Sequence, residues 1–187
     1  MSIKDLSPPA SEPLDLAYAK IFLRVDNDDE DALIGDLITA ARVRVEQMIR
    51  TSLITRRQVY TTDRLSDSGF YINHGPVETV HSVKAIDKDG AEFDLLLSDV
   101  DIDLRAVPAK LCLREPYRWR NFGSGARQVE VEFDAGYGPG AADVPMPLRQ
   151  AVMLLLAQSY EHRSSGDTPP VPLMVDALLM PYRSLKL

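Results

Sequence analysis

The sequence predicts an α+β protein. A helical bundle core, made of two N-terminal helices and a long apolar helix, carries an antiparallel β insertion and a C-terminal docking arm. Three observations predict this. Apolar residues recur at helical spacing before residue 51 and again after residue 146. From about 54 to 137 they alternate in short runs rich in Val, Thr and Tyr, punctuated by Gly and Pro. Ser164–Pro172, SSGDTPPVP, then reads as a linker to one last amphipathic turn. The expected organisation is a main domain over 1–163, with helices at about 13–51 and 146–163 and the insertion at about 54–137, followed by a linker and arm over 164–187.

Each element has its own signal. Pro13–Val25 predicts a short helix with Leu14, Tyr18, Ile21 and Phe22 on one face and Ala17 beside them. In RVDNDDED, Asn27 and Glu30 have capping-box spacing and open a second helix over about Asp28–Thr51. Its stripe is Leu33, Ile34, Leu37, Ile38, Ala41, Val45, Met48 and Ile49, with Arg42, Glu46 and Arg50 on the opposite, polar face. Strands follow at ITRRQVYTTDRL, GFYIN, Val77–Ile86, Ala91–Leu97, Lys110–Arg114 and Gln128–Asp134, with Asp89–Gly90 as a hairpin signal. The third helix covers about Pro147–His162. Its centre, Ala151–Ala157, is apolar on every side, so it is either the central helix or is covered by another subunit. In the last segment Val175, Leu178, Leu179 and Tyr182 have helical spacing, and Pro181 ends or kinks the turn. A helix this short needs a surface to dock on, and the linker allows that surface to belong to a partner.

Composition excludes several function classes. A net charge of −7 argues against a nucleic-acid binder that grips phosphates through a basic patch. A single cysteine, Cys112, closes no internal disulfide and builds no zinc cluster. No apolar run has the length of a membrane span, so no membrane is expected. The N-terminal MSIKDLSPPASEP lacks the apolar stretch of a signal peptide and reads as a flexible leader.

Candidate chemistry is sparse. FDAGYGPGAADVPMPLRQAV places Gly136, Gly138 and Gly140 before a helix, like a phosphate cradle. The Gly-Lys-Ser/Thr of a P-loop is missing, and prolines remove N–H donors, so the stretch reads as a rigid corner. DNDDED has the acid density of a calcium loop, but Asp31 and Leu37 stand where the loop requires Gly and Glu. His74, His81 and His162 are dispersed, and no serine lies in a nucleophile-elbow setting. No catalytic residue, metal ligand or cofactor is expected. Trp119, between Arg118 and Arg120, is a candidate subunit contact, because aromatic and arginine side chains are enriched there.

Three stretches in order resemble a known family: LDLAYAKIFLRVDNDDEDALIGDLITAARVRVE, VEVEFDAGYGPGAADVPMPLRQAVMLLLAQSYEHR and ALLMPYR. Together they resemble the head–tail connector (adaptor) proteins of long-tailed bacteriophages, a family that also serves in phage-derived gene transfer agents. The resemblance implies a non-enzymatic structural protein of the virion or gene transfer agent particle, assembled in the host cytoplasm. It implies a homo-oligomeric ring, commonly dodecameric, beneath the portal protein. That ring extends the DNA channel, lets DNA pass without specific binding, and gives the tail-side stopper or tail-terminator protein a platform.

Carried onto this chain, the portal-binding arm is Leu173–Leu187, with Val175, Leu178, Leu179, Pro181, Tyr182 and Arg183 at its heart. Its removal is expected to abolish portal binding and leave the domain folded. Leu154, Leu156 and Trp119 are the candidate subunit contacts. Glu130, Glu132 and Asp134, on the wet face of their strand, are the candidate channel lining, where acids would keep DNA mobile. The alternative reading is a soluble, non-enzymatic protein-binding module that uses the β insertion as its recognition surface; a small hydrolase stands third.

Overall fold

The computed structural model describes residues 1–66, 68–106, 108–114, 118–163 and 170–183. Most of the predicted linker, and the last four residues of the predicted arm, lie outside them. The chain divides into two units, Pro9–Ile54 with Tyr137–Leu187, and Met1–Pro8 with Thr55–Gly136. Both predicted classes of element are present: helices in the first unit, antiparallel sheets in the second.

In the helical unit, α1 (Leu16–Leu23) starts where Asp15 accepts a hydrogen bond from the Ala17 N–H at 2.7 Å. It ends at Arg24, which takes the left-handed conformation at φ 59°. The apolar face read for this helix is only partly buried. Leu14 and Ala19 are buried, whereas Tyr18, Ile21 and Phe22 are exposed, so beyond Leu14 the stripe turns away from the core. Eight residues carry too few turns for spacing alone to tell an inward stripe from an outward one.

Helix α2 (Asp31–Ile49) begins three residues later than predicted, without a side-chain cap from Asn27. The acids before it serve another purpose: Lys20 of α1 lies 2.6 Å from both Asp28 and Asp31. A second correction concerns the polar face of α2. Arg42 and Glu46 are buried rather than solvated. Arg42 donates from Nε to Glu12 at 2.8 Å and from Nη1 to Glu46 at 2.9 Å. The other Glu46 oxygen accepts from the Leu53 N–H at 2.8 Å. Glu12, contributed by the segment before α1, covers a pair that helix periodicity would assign to water.

Helix α3 (Met146–Glu161) starts beside Pro145 and Pro147, as the sequence implies. It contributes Leu148, Ala151, Val152, Leu155 and Leu156 to a buried cluster shared with Ile34, Ile38, Val45 and Ile49 of α2. Each fully buried leucine of this kind contributes about 1.5–3 kcal/mol. Helix α4 (Leu173–Leu179) adds Val175 and Leu179 to the same cluster, followed by a single 3-10 turn at Met180–Tyr182. Before α3, the glycine-rich corner is closely packed. Gly138 has φ +147°, and a Cβ there would lie 2.5 Å from the Asp143 side chain. Asp143 in turn accepts from the Gly140 N–H at 2.9 Å.

The β unit has two antiparallel sheets. The first has strand order β1-β2-β8-β4-β5, from β1 (Ser2–Asp5), β2 (Arg56–Thr62), β4 (Val77–Asp87), β5 (Glu92–Leu95) and β8 (Ala126–Ala135). The second has order β3-β7-β6, from β3 (Phe70–Ile72), β6 (Val100–Asp103) and β7 (Ala109–Leu113). Val129, Val131 and Phe133 of β8 join Val83, Ile72 and Leu111 in one buried cluster. The predicted alternation of β8 is observed. The leader, however, is not loose: β1 pairs with β2, and Asp5 meets Arg56 at 3.0 Å and Gln58 at 2.6 Å. A four-residue strand, exposed at every position, carries no alternation to read.

The Asp89–Gly90 signal marks a true hairpin between β4 and β5, and Asp87 locks it. Asp87 accepts from the Asp89 and Ala91 N–H groups at 2.9 Å each, and from the Ser124 N–H at 3.1 Å. Next to Ser124, Gly123 has φ +54°, and a Cβ there would fall 2.1 Å from the Asp87 carboxylate. The bonds from Ser124 and then Ala91 hold the Asp87 carboxyl below its usual range. A depressed folded-state pKa contributes stability above the unfolded value, about pH 3.9, and that stability is lost as pH falls through the folded value. Melting temperature followed from pH 7 to pH 2 is therefore expected to fall less steeply, below about pH 4, in Asp87→Asn than in the native chain.

Candidate assembly surfaces

The outer face of the five-stranded sheet carries the predicted acids, but not as an open acidic strip. In the β2–β8 ladder Asp134 stands opposite Arg57, and in the β4–β8 ladder Glu130 stands opposite Lys84. Arg57 Nε donates to Asp134 at 3.0 Å, and Arg57 Nη1 lies 3.5 Å from Glu132. His81 Nε2 is 2.7 Å from the second Asp134 oxygen. The Arg57 hydrogen bond, followed by His81, holds the Asp134 carboxyl below its usual range against the opposing effect of burial. Glu130, Glu132 and Asp134 thus share one face, as their alternation implies. Cross-strand cations offset them, which strand-by-strand reading could not reveal.

The candidate subunit contacts divide. Trp119 is buried among Phe70 and Phe122, with ring centroids 5.9 and 6.3 Å away, and its Nε1–H donates to the Ser66 carbonyl at 3.1 Å. Its indole is spent on its own core, which corrects the expectation of a surface anchor. Leu156 is likewise buried in the helical cluster, whereas Leu154 is half-buried and packs against it.

The C-terminal segment is part core and part surface. Val175 and Leu179 are fully buried against their own unit, so they do not face outward as expected of arm residues. Leu178 and Tyr182 are half-buried. Pro181 and Arg183 are exposed, and Arg183 pairs with Asp176 at 2.7 Å. The apolar surface that remains is Leu173, 87% exposed, with Met174 and Met180. The sequence reading missed these three because it counted only the inward stripe.

Among the described residues, no cluster of His, Cys, Asp and Glu has a metal-holding arrangement, and no helix is long and apolar enough to cross a membrane. What the fold defines is an α+β protein whose unusual features are surface patches and ladders of paired charge. Residues 13–92, from before α1 into β5, match the family described as phage gp6-like head-tail connector protein. The resemblance to head–tail connector proteins is thereby shown.

The fold matches three solved structures over 100% of this chain and 97% of each matched chain, at 24% identity. They are the virion of a native gene transfer agent particle at TM-score 0.81, the neck of an empty particle computed with C6 symmetry at 0.77, and the neck of a native particle computed with C12 symmetry at 0.71. This likeness establishes a shared fold. No curated protein matches the chain.

Proposed function

We propose that this chain is a non-enzymatic head–tail connector located at the neck of a phage or gene transfer agent particle. The observation that carries this reading is the coincidence of the connector match at 13–92 with a fold shared, end to end, with chains of particle necks. On this reading copies form a ring under the portal protein, extend the DNA channel, and present a platform to a stopper or tail-terminator protein. The C12 and C6 symmetries of the matched necks favour a dodecameric ring.

The helical unit serves as the bundle core of each protomer, with α3 at its centre. The portal-docking face is the outer side of the C-terminal segment: Leu173, Met174, Met180, Pro181 and Arg183. Leu178 and Tyr182 flank it, while Val175 and Leu179 anchor it from within. Short exposed apolar anchors of this kind suit a groove on a partner. Leu154 remains a candidate subunit contact. If the outer sheet face lines the channel, DNA meets Glu130, Glu132 and Asp134 with their charge partly balanced by Arg57 and Lys84. Such a wall neither grips nor strongly repels phosphate. The test is electron microscopy of the chain mixed with its portal protein.

A further inference from the structure

The outward face of α1 borders a groove. Tyr18, beside exposed Ile21 and Phe22, leads into a cavity of about 540 Å³ whose lining includes Leu14, Asp15, Met146, Arg149 and Met153; the Asp15 carboxylate there caps α1 and makes no ion pair with Arg149 among the described residues. Single exposed apolar residues are ordinary, but a contiguous apolar face that opens into a groove marks a contact site. The cation within it is poorly satisfied. Arg149 Nη2 reaches the Met146 thioether at 3.2 Å, a weak acceptor, and its Nε is shut away from solvent without an acceptor. Among the described residues no carboxylate pairs with it. Largely apolar walls around a guanidinium that makes no ion pair suit an apolar segment that bears a carboxylate.

The chain itself displays such a segment. Residues Glu92–Leu104, EFDLLLSDVDIDL, contain five carboxylates and neither Lys nor Arg. Leu96 is 69% exposed there, and Leu97 and Leu104 are exposed as well. A 3-10 turn at Leu97–Asp99 presents the leucine pair at the end of β5. Glu92 is taken by Lys84 and Asp101 lies 3.6 Å from Arg114, while Asp99 makes no ion pair among the described residues.

We propose that the Leu96–Asp99 turn of one copy seats in the α1/α3 groove of the next, with its leucines against Tyr18 and Met146 and a carboxylate on Arg149. This rests on the ring reading above and deepens it. A ring requires two unlike patches on every copy, repeated by rotation, whereas one self-complementary patch stops at a dimer. A leucine-bearing acidic turn and an arginine-bearing apolar groove are two such patches.

Cysteine cross-linking of the full chain tests the contact. In a Cys112→Ser background, Leu97→Cys and Met146→Cys are combined, assembled with portal protein and treated with a mild oxidant. Both positions are exposed, and thermal melts check that the variant folds. The expected result is a ladder of linked oligomers that neither single variant gives, with yield cut about tenfold by adding Arg149→Glu. Rings without a ladder overturn this contact and leave the ring reading standing. Absence of any oligomer overturns both. Dimers from Leu97→Cys alone would show a self-paired patch and overturn the head-to-tail arrangement.

Discussion

Arg42→Ala is expected to destabilise the helical unit by about 3–5 kcal/mol, the loss that follows when one member of a buried ion pair is removed. Arg42 donates to both Glu12 and Glu46, and it is 5% exposed. Without it, the Glu46 carboxylate, which also accepts from the Leu53 N–H, stays buried after losing its bond to the guanidinium. A domain is stable by about 5–15 kcal/mol in total, so a large share is at stake. Removing the acid together with the base should do less harm. Arg42→Met combined with Glu46→Gln retains an acceptor for Leu53 and leaves no unpaired charge at that pair. Urea denaturation of the native chain, the single variant and the double variant checks this ordering. Equal losses in both variants would show that packing, not charge, dominates at this position.

Replacing the exposed apolar residues of the C-terminal segment, Leu173→Ser, Met174→Ser and Met180→Ser together, is expected to weaken portal binding at least about a hundredfold. The same variant should melt nearly as the native chain does, because surface substitutions of this kind usually stay within about 0.5 kcal/mol each. Val175→Ala and Leu179→Ala should behave in the opposite way. Both side chains are fully buried in the helical cluster, so each truncation costs about 1–5 kcal/mol of fold stability. For that reason deletion of Leu173–Leu187 is a poor test of docking: it removes anchors of the core along with the outer face. Binding by sedimentation and stability by thermal melting separate the two sets. Unchanged portal binding in the triple serine variant would remove the docking face from this segment.

The long-period signals were legible in the sequence. The alternation of β8 repeats often enough to reveal its inward face, and Asp89–Gly90 identified its hairpin locally, whereas α3 was legible as a helix but its all-round apolar centre did not show which side faces inward. Tertiary partners hid the rest. Nothing in α2 announces that Glu12, thirty residues before Arg42, will seal two charged side chains from water. α1 is too short for its stripe to declare which way it faces, and β1 is fixed only by its pairing with β2. Trp119 carries the composition of an interface anchor. Only the ring contacts with Phe70 and Phe122 reveal that its surface is already taken. The candidate surfaces were therefore half legible: the segment bearing them could be named, while the exposed residues on it could not.

Cryo-electron microscopy of this chain mixed with the portal protein of the same particle tests the central claim most directly. A closed ring of copies seated on the portal is expected, coaxial with its channel, with Leu173, Met174 and Met180 at the junction. Protomers that remain single in solution while the portal stays bare would contradict it.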